Sequence, residues 1–202
     1  MRILAILFSV LTLSISLLAV EGPATFAGLP WGATRADARS MLSAIPGVTI
    51  ADAATQKATE TPKEAAMRLE AFGGTFANKP VTKWNLTFSG TKLIRGTVVF
   101  SPKGSVSGLN AELRQTLTTK YGAPTRNKKN IAEWTFSPTL SQKHTLGIEL
   151  TLVEPRDLTG EPYVKLTYFD ETLRIEGEKN PAIEKPKAPP ATPPQKLDSK
   201  SL

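Results

Sequence analysis

Few side chains in this sequence can do chemistry, and their spacing suits little of it. His144 is the only imidazole among 202 residues, and there is no cysteine. A single imidazole excludes any site that needs two, H-E-x-x-H included. The lack of thiols excludes disulfides, thiol nucleophiles, Cys-ligated zinc and iron–sulfur clusters. A Ser–His–Asp triad needs a nucleophile beside His144, yet the nearest segment to a G-x-S-x-G elbow, Gly104-Ser105-Val106-Ser107-Gly108, has Val at its centre. Glu154, Asp157 and Glu161 crowd one connection, but without the alternating ligand order of a calcium loop and with Arg156 among them. The expectation is a protein that is not an enzyme and holds no cofactor and no metal.

What remains is binding chemistry. Lys and Arg number 25 against 18 Asp and Glu, a formal charge of +7. Arg126, Lys128 and Lys129, with Lys120 a turn earlier, form the densest basic cluster. It could dock phosphate, lipid head groups or an acidic protein; the plainer reading is a solvated loop. No exposed aromatics alternate with these cations, so nucleic acid is not an expected partner. Trp31, between Pro30 and Gly32, is either an anchor for a partner or a plug sealing the base of a helix. Outward strand positions such as Lys83, Arg95, Thr97, Glu149 and Lys165 make a polar carpet, either a protein-binding surface or an ordinary wet sheet face.

The elements that position these residues follow from periodicity. Thr34-Arg35-Ala36-Asp37 fits a capping box, and Ala38, Met41, Leu42 and Ile45 then form one apolar stripe that Pro46-Gly47 ends. A strand is expected over Arg68–Phe76, after an Ala/Thr-rich stretch (51–65) read as a loop. Trp84, Leu86 and Phe88 alternate with polar residues, and Ile94, Val98 and Phe100 mark the next strand. Leu109, Leu113, Leu117 and Tyr121 recur every four residues on a second helix, with Gly122 placed for a left-handed cap. Strands then centre on Trp134, Ile148 and Leu166. Such alternation predicts antiparallel strands with one solvated face. The fold class is therefore α+β: two helix-strand-strand-strand halves, about 26–102 and 103–175, with helices on one face of an antiparallel sheet.

Both ends of the chain differ from this middle. Ile3 to Val20 is uncharged behind Met1 and Arg2, so residues 1–24 read as an export signal or a retained N-terminal anchor, with Gly22/Ala24 or Thr25/Ala27 as small-residue cleavage pairs. The folded part then lies in the periplasm or outside the cell, or is anchored to the inner membrane and faces the periplasm. Residues 176–202 read as a disordered Pro/Lys-rich tail, a spacer or tether, with six Pro after Lys179.

Two stretches carry a likeness to known proteins. Phe26-Ala27-Gly28-Leu29-Pro30-Trp31-Gly32-Ala33-Thr34, running into a helix, looks like the opening motif of exported bacterial αβ modules. Lys120-Tyr121-Gly122-Ala123-Pro124-Thr125, with Glu133-Trp134-Thr135-Phe136 and Ile148-Glu149-Leu150, resembles their second half. The groups in question are the outer-membrane-assembly lipoproteins of the SmpA/OmlA type and the tandem-repeat β-lactamase inhibitor proteins. The resemblance implies a non-enzymatic module of the cell envelope that holds another envelope protein by its sheet face or loops. A ligand-binding module for anionic lipid or glycan, using the basic loop, is the alternative. The chain lacks the lipoproteins' lipidated Cys and the inhibitors' disulfides, so neither feature carries over.

Overall fold

The computed structural model describes residues 21–51, 67–102, 104–155 and 160–179. In chain order the elements are β1 (Thr25–Phe26), β2 (Leu29–Pro30), α1 (Arg35–Ala44), β3 (Val48–Ile50), β4 (Arg68–Gly73), β5 (Thr75–Phe76), β6 (Lys79–Pro80), β7 (Lys83–Ser89) and β8 (Lys92–Phe100). Then come α2 (Val106–Tyr121), β9 (Arg126–Lys128), β10 (Ile131–Phe136), β11 (Leu146–Val153), β12 (Tyr163–Asp170) and α3 (Glu171–Lys179).

Helix α1 starts as its sequence dictates. The Thr34 hydroxyl accepts the Asp37 amide at 3.2 Å, and the Asp37 carboxylate accepts the Thr34 amide at 3.0 Å. Two orphan N–H groups of the first turn are thereby satisfied. The bonds from Thr34 hold the Asp37 carboxyl below the usual carboxylate range. Ala38 and Leu42 are buried and Met41 and Ile45 half-buried, so the stripe faces the core. Helix α2 is capped by the Ser105 hydroxyl, which accepts the Gly108 amide; this is the use of the pseudo-elbow serine. Gly122 ends α2 at a φ of +79°, a left-handed position that favours glycine.

Eight strands form one sheet in the order β3-β4-β7-β8-β12-β11-β10-β9, with every neighbouring pair antiparallel. The architecture is α+β. The last strand before α2, β8, pairs with the last before α3, β12, at the middle of the sheet. Each outer edge carries a three-residue strand, β3 or β9, beyond the three expected on that side. Three residues are too few for a period of two to register. The strand expected over Arg68–Phe76 breaks in two because Gly73 and Gly74 both take positive φ, turning the chain into the β5–β6 hairpin.

One face of this sheet is dry. Trp84, Leu86, Phe100, Val98, Leu166, Ile148 and Leu150 are all sealed from water, each worth roughly 1.5–3 kcal/mol if aliphatic and more if aromatic. Helix α1 packs by β3 and β4, and α2 by β11 and β12. The β1–β2 and β5–β6 hairpins fill the space between. Phe26 and Phe76 stack at 6.1 Å and meet Trp84 and Tyr168 edge-on or tilted, a four-ring cluster under the hairpins. Burial pushes the Tyr168 phenol pKa up. Lys79 on β6 reaches Glu112 on α2 at 2.6 Å, joining a hairpin to a helix.

Two expectations are corrected here. Leu93, not Ile94, enters the core, because the ladder slips between Thr87 and Phe88: Arg95 faces Thr87 but Leu93 faces Phe88, leaving Ile94 as the bulged residue. Helix α3 was not expected, and it runs across the boundary placed at 175/176. Only Leu173 of its nine residues is buried, so it has no apolar stripe to read. The leader, the 52–66 stretch and the tail beyond Lys179 lie outside the described residues. Among the described residues no helix is long and apolar enough to cross a membrane.

Gly96 is the tightest point under the hairpins: a Cβ there would sit 2.4 Å from the Phe26 ring. Gly96→Ala must push that ring off its neighbours, and we expect a loss of about 1–3 kcal/mol, read as a lowered urea midpoint with an unchanged slope.

Candidate functional site

The face opposite the core carries no covering layer among the described residues, and it is here that the sequence-expected cations gather. Register fixes which side chains share a row. One row runs Phe72, Lys83, Val99, Lys165, Thr151, Ile131 and Lys128 from β4 to β9. The next runs Glu70, Asn85, Thr97, Thr167, Glu149, Glu133 and Arg126. A third holds Arg68, Thr87, Arg95, Phe169, Gly147 and Thr135.

Three cross-strand ion pairs order the first two rows. Lys83 meets Glu70 at 2.8 Å, Lys165 meets Glu149 at 3.7 Å, and Arg126 meets Glu133 at 3.4 Å. Each side chain is a quarter or more exposed, so each pair is worth at most about 1 kcal/mol and mainly fixes side-chain direction. Thr97 and Thr167 share a hydrogen bond at 3.1 Å across the central pair of strands. Every carboxylate in these rows is thus engaged, whereas the cations outnumber them: Lys128 and Arg95 stand beside the three in ion pairs.

Two aromatic rings of this face lie beside cations. The Lys83 ammonium lies 5.8 Å from the centre of the Phe72 ring, and the Arg95 guanidinium 6.0 Å from that of Phe169. Phe169 in turn covers Gly147, where a Cβ would lie 2.1 Å from its ring. Glycine at 147 therefore makes room for the ring. Sequence reasoning missed Phe72 and Phe169. The signal was present, since both fall on the outward phase of strands whose inward phase is apolar.

The remaining expected residues are placed as follows. Arg126 and Lys128 are exposed on the edge strand β9, with Lys129 exposed in the turn after it, so the basic cluster extends the sheet face at its rim. Lys120 lies over the Tyr121 ring at 5.0 Å on α2. Trp31 is apart from all of these: it packs half-buried against the core and its indole N–H donates to the Pro23 carbonyl at 2.7 Å, the geometry of a plug. Asn130 donates to Glu154, while Asp157 lies outside the described residues.

His144 is bonded through one ring nitrogen to a buried acid. Its Nδ1 lies 2.5 Å from one oxygen of Asp170, a carboxylate with no exposed surface, whose other oxygen accepts the Leu173 amide and so caps α3. The Thr145 carbonyl accepts the Glu171 amide, and the Thr172 hydroxyl accepts the Thr145 amide. Further along α3, bonds from Arg174 hold the Glu171 carboxyl below its usual range, with help from the charge of Arg95. Among the described residues no three His, Cys, Asp or Glu gather to hold a metal ion.

Compared with protein-family models, curated proteins and solved structures, the chain matches none. What the fold and face define is therefore a class by geometry alone: a two-layer α+β domain with a cationic, partly aromatic open sheet.

Removing the imidazole tests the reading of His144. His144→Ala strips Asp170 of one partner while leaving it buried, and a cost of about 1–3 kcal/mol in thermal unfolding is expected. Loss of stability below 0.5 kcal/mol would mean that Asp170 is held by the helix terminus alone.

Proposed function

We propose that this chain is an exported, non-enzymatic module of the bacterial cell envelope that holds an acidic protein against the open face of its sheet. The observation that carries the reading is the uncovered face itself: seven of its paired strands present rows of ordered side chains whose carboxylates are already taken up by lysine and arginine. A surface with its acids neutralised and cations to spare selects a partner of opposite sign. Rigid rings backed by cations, Phe72 with Lys83 and Phe169 with Arg95, are the type of side chain that dominates binding energy.

The uncharged leader behind Arg2 and the likeness to envelope modules support placement in the periplasm or outside the cell. Glu21, Gly22 and Pro23 bear on the fate of that leader. Glu21 accepts a bond from Ser141, the Gly22 amide donates to Gln142, and the Pro23 carbonyl accepts from Trp31. A cut after Ala24 would forfeit these bonds, and one after Ala27 would also remove Phe26 from the core. The packing favours a retained membrane anchor, or a cut ahead of Glu21, over either cleavage pair read from small residues.

A photo-crosslinking amino acid at Val99 or Thr151 should trap a discrete acidic protein in intact cells, while the same group at Gln115 on the outer side of α2 should not. Equal trapping from both sides would overturn the reading.

A second reading rests on Lys128 and Lys129, which are exposed at the rim and form no ion pair among the described residues. Together with Arg126 they suit anionic lipid or glycan. On that reading the double variant Lys128→Glu, Lys129→Glu loses most of its retention on phosphatidylglycerol vesicles at low salt; retention unaffected by the reversal, or none in the parent protein, removes it.

A further inference from the structure

A cleft of about 360 Å³ lies at the β10 edge of the sheet, between the end of α2 and β10, where the third row of the open face ends at Thr135. Tyr121, Trp134, Phe136 and Pro138 supply its apolar surfaces, and Thr125 and Thr139 put hydroxyls at its rim. Tyr121 and Phe136 meet edge to face at 5.3 Å, and Lys120 covers Tyr121, so the half-exposed ring has a set orientation. The Trp134 indole is pinned by its bond to the Gly122 carbonyl at 2.9 Å. Strand β10 is paired with β9 only as far as Glu133, so the backbone at Thr135 borders the cleft on an open sheet edge. Grooves of fixed aromatic rings with hydroxyls beside them suit extended proline-rich chain, which gives up little entropy on binding.

The chain itself carries such a segment over residues 180–202. We infer that the cleft is the docking site of this protein's own C-terminal segment, through Pro186, Pro189, Pro190, Pro193 and Pro194. The geometry of attachment permits it. Phe136 faces Leu146, and Leu146 faces Asp170, where α3 begins. Two strand spacings are about 10 Å, and the nine residues of α3 add about 13 Å. Lys179 is thus within roughly 25 Å of the cleft along this path. The seven residues from Asn180 to Pro186 cover about 22 Å as polyproline II, which brings the two Pro-Pro pairs to the cleft. Attachment at this length gives an effective concentration on the order of millimolar, so an intrinsically weak contact is enough to close.

The test compares ¹⁵N amide spectra of the full chain with those of a chain ending at Lys179, and titrates the latter with a synthetic peptide of residues 180–202. Tail removal should move the amides of Tyr121, Thr125 and Thr135–Thr139 and leave those of the open face, such as Thr97 and Glu149, in place. The peptide should restore the shifts with a Kd of about 0.1–1 mM. Alanine at Pro189, Pro190, Pro193 and Pro194 in the peptide should weaken it at least fivefold, a change that cannot disturb the folded domain; Tyr121→Ala in the domain should do the same. Superimposable spectra with and without the tail would overturn the inference. So would shifts confined to the rows of Thr97 and Glu149, or peptide binding indifferent to both proline and Tyr121 changes.

Discussion

Everything in this fold depends on a sheet having two faces and only one of them being dry. The inward residues of β4, β7, β8, β12, β11 and β10 are nearly all large and apolar, and they must be covered. Two helices cannot span eight strands, so α1 and α2 take the flanks and the two short hairpins close the centre with Phe26 and Phe76. Small residues decide how closely that cover sits. Gly96 lets a ring lie directly on the backbone, and the paired glycines at 73 and 74 bring the second hairpin back over the sheet. Because the layer that covers the core is on one side, the opposite face is open among the described residues.

An open face must be kept from sticking indiscriminately, and its side chains serve that need as well as recognition. Glutamates set diagonally or directly across from lysine and arginine hold long side chains flat along the strands. The edge strands β3 and β9 are short, and β9 carries Arg126 and Lys128, which discourages another strand from extending the sheet there. Two of its aromatic rings are held in fixed positions, one beneath a lysine and one laid over a glycine. The result is a surface with defined shape and a surplus of positive charge.

The third helix shows how a polar segment can be recruited into such a domain. Its own sequence has no apolar stripe. Its first turn is fastened by polar bonds: Asp170 caps it, His144 partners Asp170, and the 145 backbone exchanges bonds with Glu171 and Thr172, while Gly177 further along lies close against Ser89 of β7. Charged pairs of Arg174 with Glu171 and Glu178 then stiffen the exposed side. The single imidazole of the chain is bonded through Nδ1 to the buried acid that caps this helix.

Local chemistry was enough to reveal the capping box at Thr34, the stripes of α1 and α2, the stop at Gly122 and the alternation of the strands, because each rests on contacts within a few residues. The same alternation placed Lys83, Arg95 and Lys165 outward. The bulge at Ile94, the three-residue edge strands, helix α3 and the union of Arg95, Phe169 and Gly147 depended on neighbours far away in the chain. Pairing register belongs to two strands at once, and one strand's period of two cannot state which residue of another will lie opposite. That the Trp31 indole bonds to Pro23 and that His144 bonds to Asp170 likewise showed only when these partners were brought beside them in three dimensions.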